Sequence, residues 1–330
     1  MSKIAKGTLL TLVAGIAWGL SGTSGQYLMV HGFPVLVLTN IRLLIAGVLL
    51  VLYMLLTNQK KLFEMLKDRE AMMSLVLFAL LGLLLNQFAY LKSIYESNAG
   101  TATVLQYVCP VGILAYACLK DWVAPTITEV LSMILAIGGT FLIATHGQLD
   151  HLSVTPAGLF WGLFAAFTYA LYILIPIQLI KRWGSIPVIG VGMTLAGLAL
   201  TPFSGILHFH WRLSMEVYLA LVGIILVGTI LAYTLFLKGT SLVGPVKSSL
   251  LAAVEPISAV FFAFLLMHEQ FYLLDFVGMF MILSAVVLIS IKDLILEKEK
   301  EYYKRQSELH CSVFHFENNC QKKSIMYVKP

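Results

Sequence analysis

Ten apolar runs of about twenty residues fill the chain from Thr8 to Ile291, joined by connections too short to hold a soluble domain. A helix needs about 20 apolar residues to cross the hydrocarbon core of a bilayer. The pattern therefore predicts an all-α integral membrane protein with ten transmembrane helices. The expected spans are 8–30, 35–56, 72–91, 98–119, 126–145, 156–180, 187–207, 215–237, 243–267 and 272–291. Gly32, Pro34, Asn98, Pro125, Pro156, Gly184 and Pro187 mark several of the boundaries, as turn-forming residues do. The first run begins at Gly7 and lacks a small-x-small exit site, so it reads as a first helix and not as a cleaved signal peptide.

Composition agrees. Hydrophobic residues make up 59% of the 330 and charged residues 12%, whereas soluble domains are roughly 45–50% apolar and about 25% charged. The net charge of +5 lies between the apolar runs, which points to orientation in a membrane and away from nucleic acid. No basic stripe with interleaved aromatics occurs outside the tail. Lys3, Lys6, Lys60, Lys61, Lys67, Arg69, Lys120, Lys181, Arg182 and Lys238 belong to one set of connections; Lys92 and Arg212 belong to the other. The positive-inside rule puts the richer set in the cytoplasm. The expectation is a multi-pass protein of the cell membrane with both termini cytoplasmic and with lipid around it.

The chain also repeats. Residues 92–143 shifted by 146 overlie 238–289 without a gap: Lys92 falls on Lys238, Pro110 on Pro256 and Glu129 on Asp275. Gly7 and Trp18 correspond to Gly158 and Tyr169, and Gly32-Phe33-Pro34 to Ser185-Ile186-Pro187. The expected organisation is repeat 1 over 1–146 (helices 1–5), repeat 2 over 147–292 (helices 6–10) and a polar cytoplasmic tail over 293–330. A duplicated unit with five crossings enters the membrane from opposite sides in its two copies. That is an inverted 5+5 repeat, an architecture used for alternating access.

Several motifs carry no chemistry on inspection. Gly19-Leu20-Ser21-Gly22 has the G-x-S-G form of an intramembrane serine protease, but no histidine lies mid-helix to serve as base. Gly15 and Gly19, like Gly158 and Gly162, are spaced for close helix packing. His268-Glu269 begins an H-E-x-x-H pattern that Tyr272 ends. His310, Cys311, His315 and Cys320 have metal-binding atoms without paired spacing. Cys109 and Cys118 lie in an apolar run, and no disulfide framework is expected. No P-loop is present, so no ATP site is expected. Neither a metal, a cofactor nor a catalytic residue is assigned.

Polar residues inside the spans are the candidate substrate-binding set. Arg42 lies about eight residues into the second span, roughly 12 Å deep at 1.5 Å per residue; a charge there faces a partner or a water-filled path. Glu255 lies near the middle of the ninth, before Pro256. Gln106 of the fourth span is taken as its counterpart. Gln87 and Tyr90, Trp18 and Ser21, Tyr169 and Tyr172, and Tyr233 complete the set. Glu255 is also the candidate for proton coupling.

The order of these features resembles the EamA family of the drug/metabolite transporter superfamily. It rests on Trp18-Gly19, Arg42, Ala89-Tyr90-Leu91-Lys92, Glu255-Pro256, and Glu269 followed by Gly278 and an apolar run to Ile291. Val123 departs from it, standing where the register pairs Glu269. The resemblance implies a secondary transporter that exports or exchanges a small metabolite, such as an amino acid, by alternating access. The alternative is a polytopic membrane enzyme acting on a lipid. Such an enzyme needs clustered carboxylates or histidines at one face, and no D-D-x-x-D or H-x-x-H cluster occurs.

Overall fold

The computed structural model describes residues 2–97, 99–145, 155–209, 214–267, 272–289 and 291. Arg212, His151, His268, Glu269 and the tail, with His310, Cys311, His315 and Cys320, lie outside the described residues. Among the described residues there is no strand. In hydrocarbon every backbone N–H and C=O must be satisfied within the segment, and apolar runs of this length become helices.

The helices are α1 (Lys3–Val30), α2 (Val35–Thr57), α3 (Gln59–Lys67), α4 (Arg69–Glu96), α5 (Ala99–Gln106), α6 (Cys109–Asp121) and α7 (Ile127–Thr145). They continue as α8 (Pro156–Trp183, with a turn at 175–176), α9 (Ser185–Ser204), α10 (Met215–Val243), α11 (Pro245–Leu251), α12 (Glu255–Met267) and α13 (Leu273–Ile289). Among the described residues, seven helical runs are long and apolar enough to cross a membrane: α1, α2, α4, Ala102–Lys120 across α5 and α6, α8, α9 and α10. Side-chain caps start several of them. Ser2 accepts from the Ala5 amide at 3.1 Å, Thr155 from Gly158 at 3.0 Å and Ser214 from Val217 at 3.4 Å, each satisfying an amide that the first turn leaves open. Glu129 Oε2 accepts from the Thr126 amide at 2.9 Å, and Asp275 Oδ2 from that of Tyr272 at 2.8 Å. The matched acids of the sequence repeat are therefore helix caps.

Besides the turn at 175–176 in the span 156–180, two expected spans are interrupted in mid-course. The span 98–119 turns at Tyr107–Val108, and the span 243–267 tightens to a 3₁₀ turn at Ala252–Val254. Each interruption lies just before a proline, Pro110 or Pro256, whose missing N–H and whose ring oppose a continuous helix. Gly244, at φ 86°, gives α11 its start in a backbone region that L residues avoid. Two other helices swell in mid-course: α4 is π-helical over Phe78–Leu84 and α10 over Gly223–Leu231. An extra residue per turn rotates the face that follows, and such bulges recur at functional sites.

Packing is close. α2 and α9 run antiparallel: a Cβ on Gly47 would lie 2.6 Å from Thr194 Oγ1, one on Gly190 2.8 Å from Leu50 Cβ, and one on Gly197 2.7 Å from Leu44 Cγ. Asn40 spans the same pair, donating to the Gly197 carbonyl at 2.9 Å. α1 packs on α10 and α12, while α8 packs on α4 and α5. Gly139 of α7 meets Gly278 of α13 backbone to backbone. The outer faces expose Leu52, Phe160, Phe167, Phe203 and Phe280, as lipid-facing surfaces do. At one end α3 buries Leu62 and Met65, and Arg182 ties to Asp68 at 2.8 Å.

Candidate functional site

The polar side chains of α1, α2, α4, α8, α10 and the two broken helices meet inside the bundle. Arg42 is 3% exposed. Its Nε donates to Thr229 Oγ1 at 3.2 Å and its Nη2 to Ser21 Oγ at 3.2 Å. Thr229 is positioned by the π-helical stretch, where its hydroxyl donates to the Ile224 carbonyl five residues back at 2.6 Å. A guanidinium has five N–H donors, and hydroxyls are neutral partners, so its charge is oriented without being cancelled.

Glu255 is 7% exposed and is the first residue of α12. Tyr90 donates to its Oε1 at 3.4 Å, and Tyr107 reaches its Oε2 at 3.3 Å. The Tyr90 hydroxyl also bonds Thr103 at 3.1 Å. Tyr107 in addition donates to the Ala252 carbonyl. That carbonyl lies four residues before Pro256, the position whose helical donor proline cannot supply. Arg42 and Glu255 lie within each other's field but are not an ion pair. Two opposite buried charges thus stand on α2 and α12, each held by neutral groups.

Between them is an aromatic wall. Trp18 contacts Tyr169, Tyr172, Tyr233 and Phe236, with ring centroids 6.0, 6.4, 5.4 and 4.7 Å away. Tyr172 stacks on Tyr169 at 5.9 Å and meets Tyr233 at 5.1 Å. The hydroxyls of Tyr169 and Tyr172 are buried without a hydrogen-bond partner. The Gln87 amide is buried too, without a bond of ordinary geometry, although the Tyr233 hydroxyl lies near it. Buried polar groups are nearly always paired, so these three leave hydrogen-bonding capacity unused around one locus.

Of the residues expected from sequence, Trp18, Ser21, Arg42, Gln87, Tyr90, Tyr169, Tyr172, Tyr233 and Glu255 gather here. Gln106 turns aside and donates to Asn86 at 3.4 Å. The 146-residue register puts Cys109, not Gln106, in the place of Glu255. Tyr107, Thr103 and Phe236 were not anticipated. Tyr107 has a sequence signal in standing three residues before Pro110, and Phe236 in standing one helical turn after Tyr233. The G-x-x-x-G glycines of α1 pack as expected, Gly15 against Val254 and Gly19 against Ser258, while Ser21 serves Arg42. Among the described residues no group of three His, Cys, Asp or Glu side chains could hold a metal.

Comparison with known proteins gives a consistent picture. The model of the EamA-like transporter family matches residues 5–145 and again 156–291. The chain is 39% identical over 292 residues to a protein of Salmonella typhimurium described as "Uncharacterized inner membrane transporter YicL", covering 88% of this chain and 97% of that one. It is 24% identical over 286 residues to the "Uncharacterized transporter YwfM" of Bacillus subtilis, covering 86% and 93%. A solved crystal structure superposes with a TM-score of 0.71 at 16% identity, covering 89% of this chain and 99% of its own; that likeness speaks for the fold alone.

Proposed function

This chain belongs to the EamA-like transporter family, and on that premise we propose that it is a ten-crossing secondary carrier that exports or exchanges a small metabolite by alternating access, amino acids and similar zwitterions being the leading class. That it is a multi-pass membrane transporter of a small molecule, and not an enzyme, follows from the family and from its relatives.

The observation that carries the substrate class is the separation of Arg42 from Glu255. Buried charges are costly unless paired. A molecule with a carboxylate for Arg42 and an ammonium for Glu255 pairs both at once, and the hydroxyls of Tyr169 and Tyr172 and the Gln87 amide offer it hydrogen bonds. Tyrosine and tryptophan faces suit an apolar or aromatic side chain beside them.

Ten crossings are supported by adding α7, the α11–α12 run and α13 to the seven long spans. The inverted repeat is supported by features that recur 146 residues apart: the π-helical stretches at Phe78–Leu84 and Gly223–Leu231, the breaks near 107 and 253, and the caps at Glu129 and Asp275. The antiparallel packing of α2 on its counterpart α9 supports opposite insertion of the two copies. The lysine and arginine asymmetry supports cytoplasmic termini, and the residues themselves support a lipid-embedded protein of the cell membrane. Glu255 is the group we assign to proton coupling, because a site that differs in wetness between two facing states shifts the equilibrium between them.

The test is reconstitution of the purified chain in liposomes loaded with each standard amino acid in turn, with exchange followed by radiolabel. Saturable exchange of at least one, lost in Arg42→Ala, is expected; no exchange of any sinks the zwitterion reading. Orientation is checked separately. A reporter active only in the cytoplasm should work when fused after Arg69 or after Arg182 and fail near His151.

A further inference from the structure

We propose that Tyr107 is a positioning residue that ties the bend of the second broken helix to the state of Glu255. The proposal rests on the reading above that Glu255 faces the substrate.

Tyr107 stands in the turn between α5 and α6, and its hydroxyl crosses to the other broken helix. It is 3% exposed. A phenol has one proton to donate, and two acceptors lie in reach: the Ala252 carbonyl and Glu255 Oε2, the latter at 3.3 Å. These acceptors differ in kind. The carbonyl belongs to the hinge, four residues before Pro256, where the helix cannot supply its own donor. Its remaining helical partner is the Glu255 amide, through a tight 3₁₀ bond. The carboxylate belongs to the substrate site. A bare carboxylate draws the proton strongly, because bonds to ionised acceptors are roughly twice as strong as neutral ones. An ammonium or a proton on Glu255 weakens that draw, and the tyrosine then commits its proton to the hinge. Occupancy of the site is thereby converted into the stiffness of the bend at Ala252–Val254, between α11 and α12.

The strap runs one way only. Pro110 leaves the Gln106 carbonyl short of a donor in the same manner, but the register puts Ala253 opposite, and alanine has none to give. Among the described residues, the hinge beside the acid is the one read by a side chain from its twin.

Hydrogen–deuterium exchange of the full chain in detergent micelles, without any substrate, tests this through peptides covering residues 250–262. Exchange reports local opening of the backbone. Tyr107→Phe should speed it about tenfold, the size of one lost hydrogen bond. Glu255→Gln, which offers a neutral acceptor, should slow it about threefold when Tyr107 is present and change nothing in the Tyr107→Phe background. A merely structural tyrosine would leave the effect of Glu255→Gln the same in both backgrounds, and that result overturns the proposal. Pro256→Ala returns a helical donor to the Ala252 carbonyl, so Tyr107→Phe should become silent in it; an undiminished effect there also overturns the proposal. Transport plays no part in the readout. A chain that exchanges no metabolite sinks the carrier reading and leaves this test standing, whereas equal effects in both backgrounds sink the strap alone.

Discussion

The two broken helices share a backbone and differ in chemistry. Each is interrupted after about eight residues, at Tyr107–Val108 in one and Ala252–Val254 in the other, and each resumes with a proline in its first turn. The positions that follow the breaks are Cys109 and Glu255, both buried. The thiol is a small, weakly polar group; the carboxylate is a charge. The turn residues differ as well, a tyrosine in one and an alanine in the other. Backbone symmetry supplies two hinges of like geometry, which a carrier that alternates between two faces can use. On the proposed alternating-access reading, side-chain asymmetry would supply direction, since among the described residues one hinge holds an acid and the other sends a hydroxyl across.

The largest effect expected is at the charged member. Glu255→Gln keeps size and hydrogen bonding but cannot ionise. Accumulation driven by a pH gradient across liposomes should fall about a hundredfold, consistent with the 2–5 kcal/mol lost when a buried charge loses its partner; exchange without a gradient loses the ammonium's partner too but needs no proton, so it should weaken less and persist. Unchanged accumulation would show that the acid is not what distinguishes the two hinges. Arg42→Lys comes next. The guanidinium holds Thr229 and Ser21 at once, and an ammonium cannot reproduce that fork. Exchange rates should drop roughly 30-fold in liposomes, about 2 kcal/mol by the tenfold-per-1.4 rule.

Residues differ in how plainly sequence announces them. The spans follow from length and apolarity, because nothing but a helix satisfies its backbone in lipid. Arg42 and Glu255 stand out as charges in apolar runs, and the aromatic residues Trp18 and Tyr169 are legible through the repeat. The breaks are less so. Pro256 predicts a bend but not its 3₁₀ form, and the repeat register makes Cys109 the positional match of Glu255 while Gln106 bonds Asn86. The π-helical stretches leave no mark in hydrophobic periodicity, since FALLGLL and GIILVGTIL read like any apolar helix. Tyr107 is marked in the sequence only by Pro110 three residues on, and its role is not legible there because it depends on two turns meeting across the bundle.

A smaller effect separates binding from folding at the aromatic wall. The hydroxyls of Tyr169 and Tyr172 lack partners, and an unpaired buried hydroxyl costs about 1–3 kcal/mol. Tyr172→Phe should therefore raise the melting temperature in detergent by a few degrees while raising the KM for exchange about fivefold. A lowered melting temperature would mean that the hydroxyl is serving the fold and not the substrate.

The smallest effect is expected at Cys109, and it is the most direct challenge to the comparison. Cys109 is 3% exposed at the start of α6, at the position the repeat register gives to Glu255. A buried thiol behaves as a small hydrophobe. Serine is close in volume and can turn its hydroxyl back onto the carbonyl of its own helix, a habit of serine in membrane helices, so it need not reach into the site. Cys109→Ser should change the exchange rate less than twofold and leave the pH dependence of accumulation as it is. If the carrier used its two hinges alike, this substitution would disturb transport about as much as Glu255→Gln, because both alter the same position of the same turn. A loss of that size, measured on protein that still elutes as one species from a sizing column, would mean that the thiol side takes part in each cycle and that direction arises elsewhere. A near-neutral result places the working asymmetry in the acid and in the tyrosine that faces it.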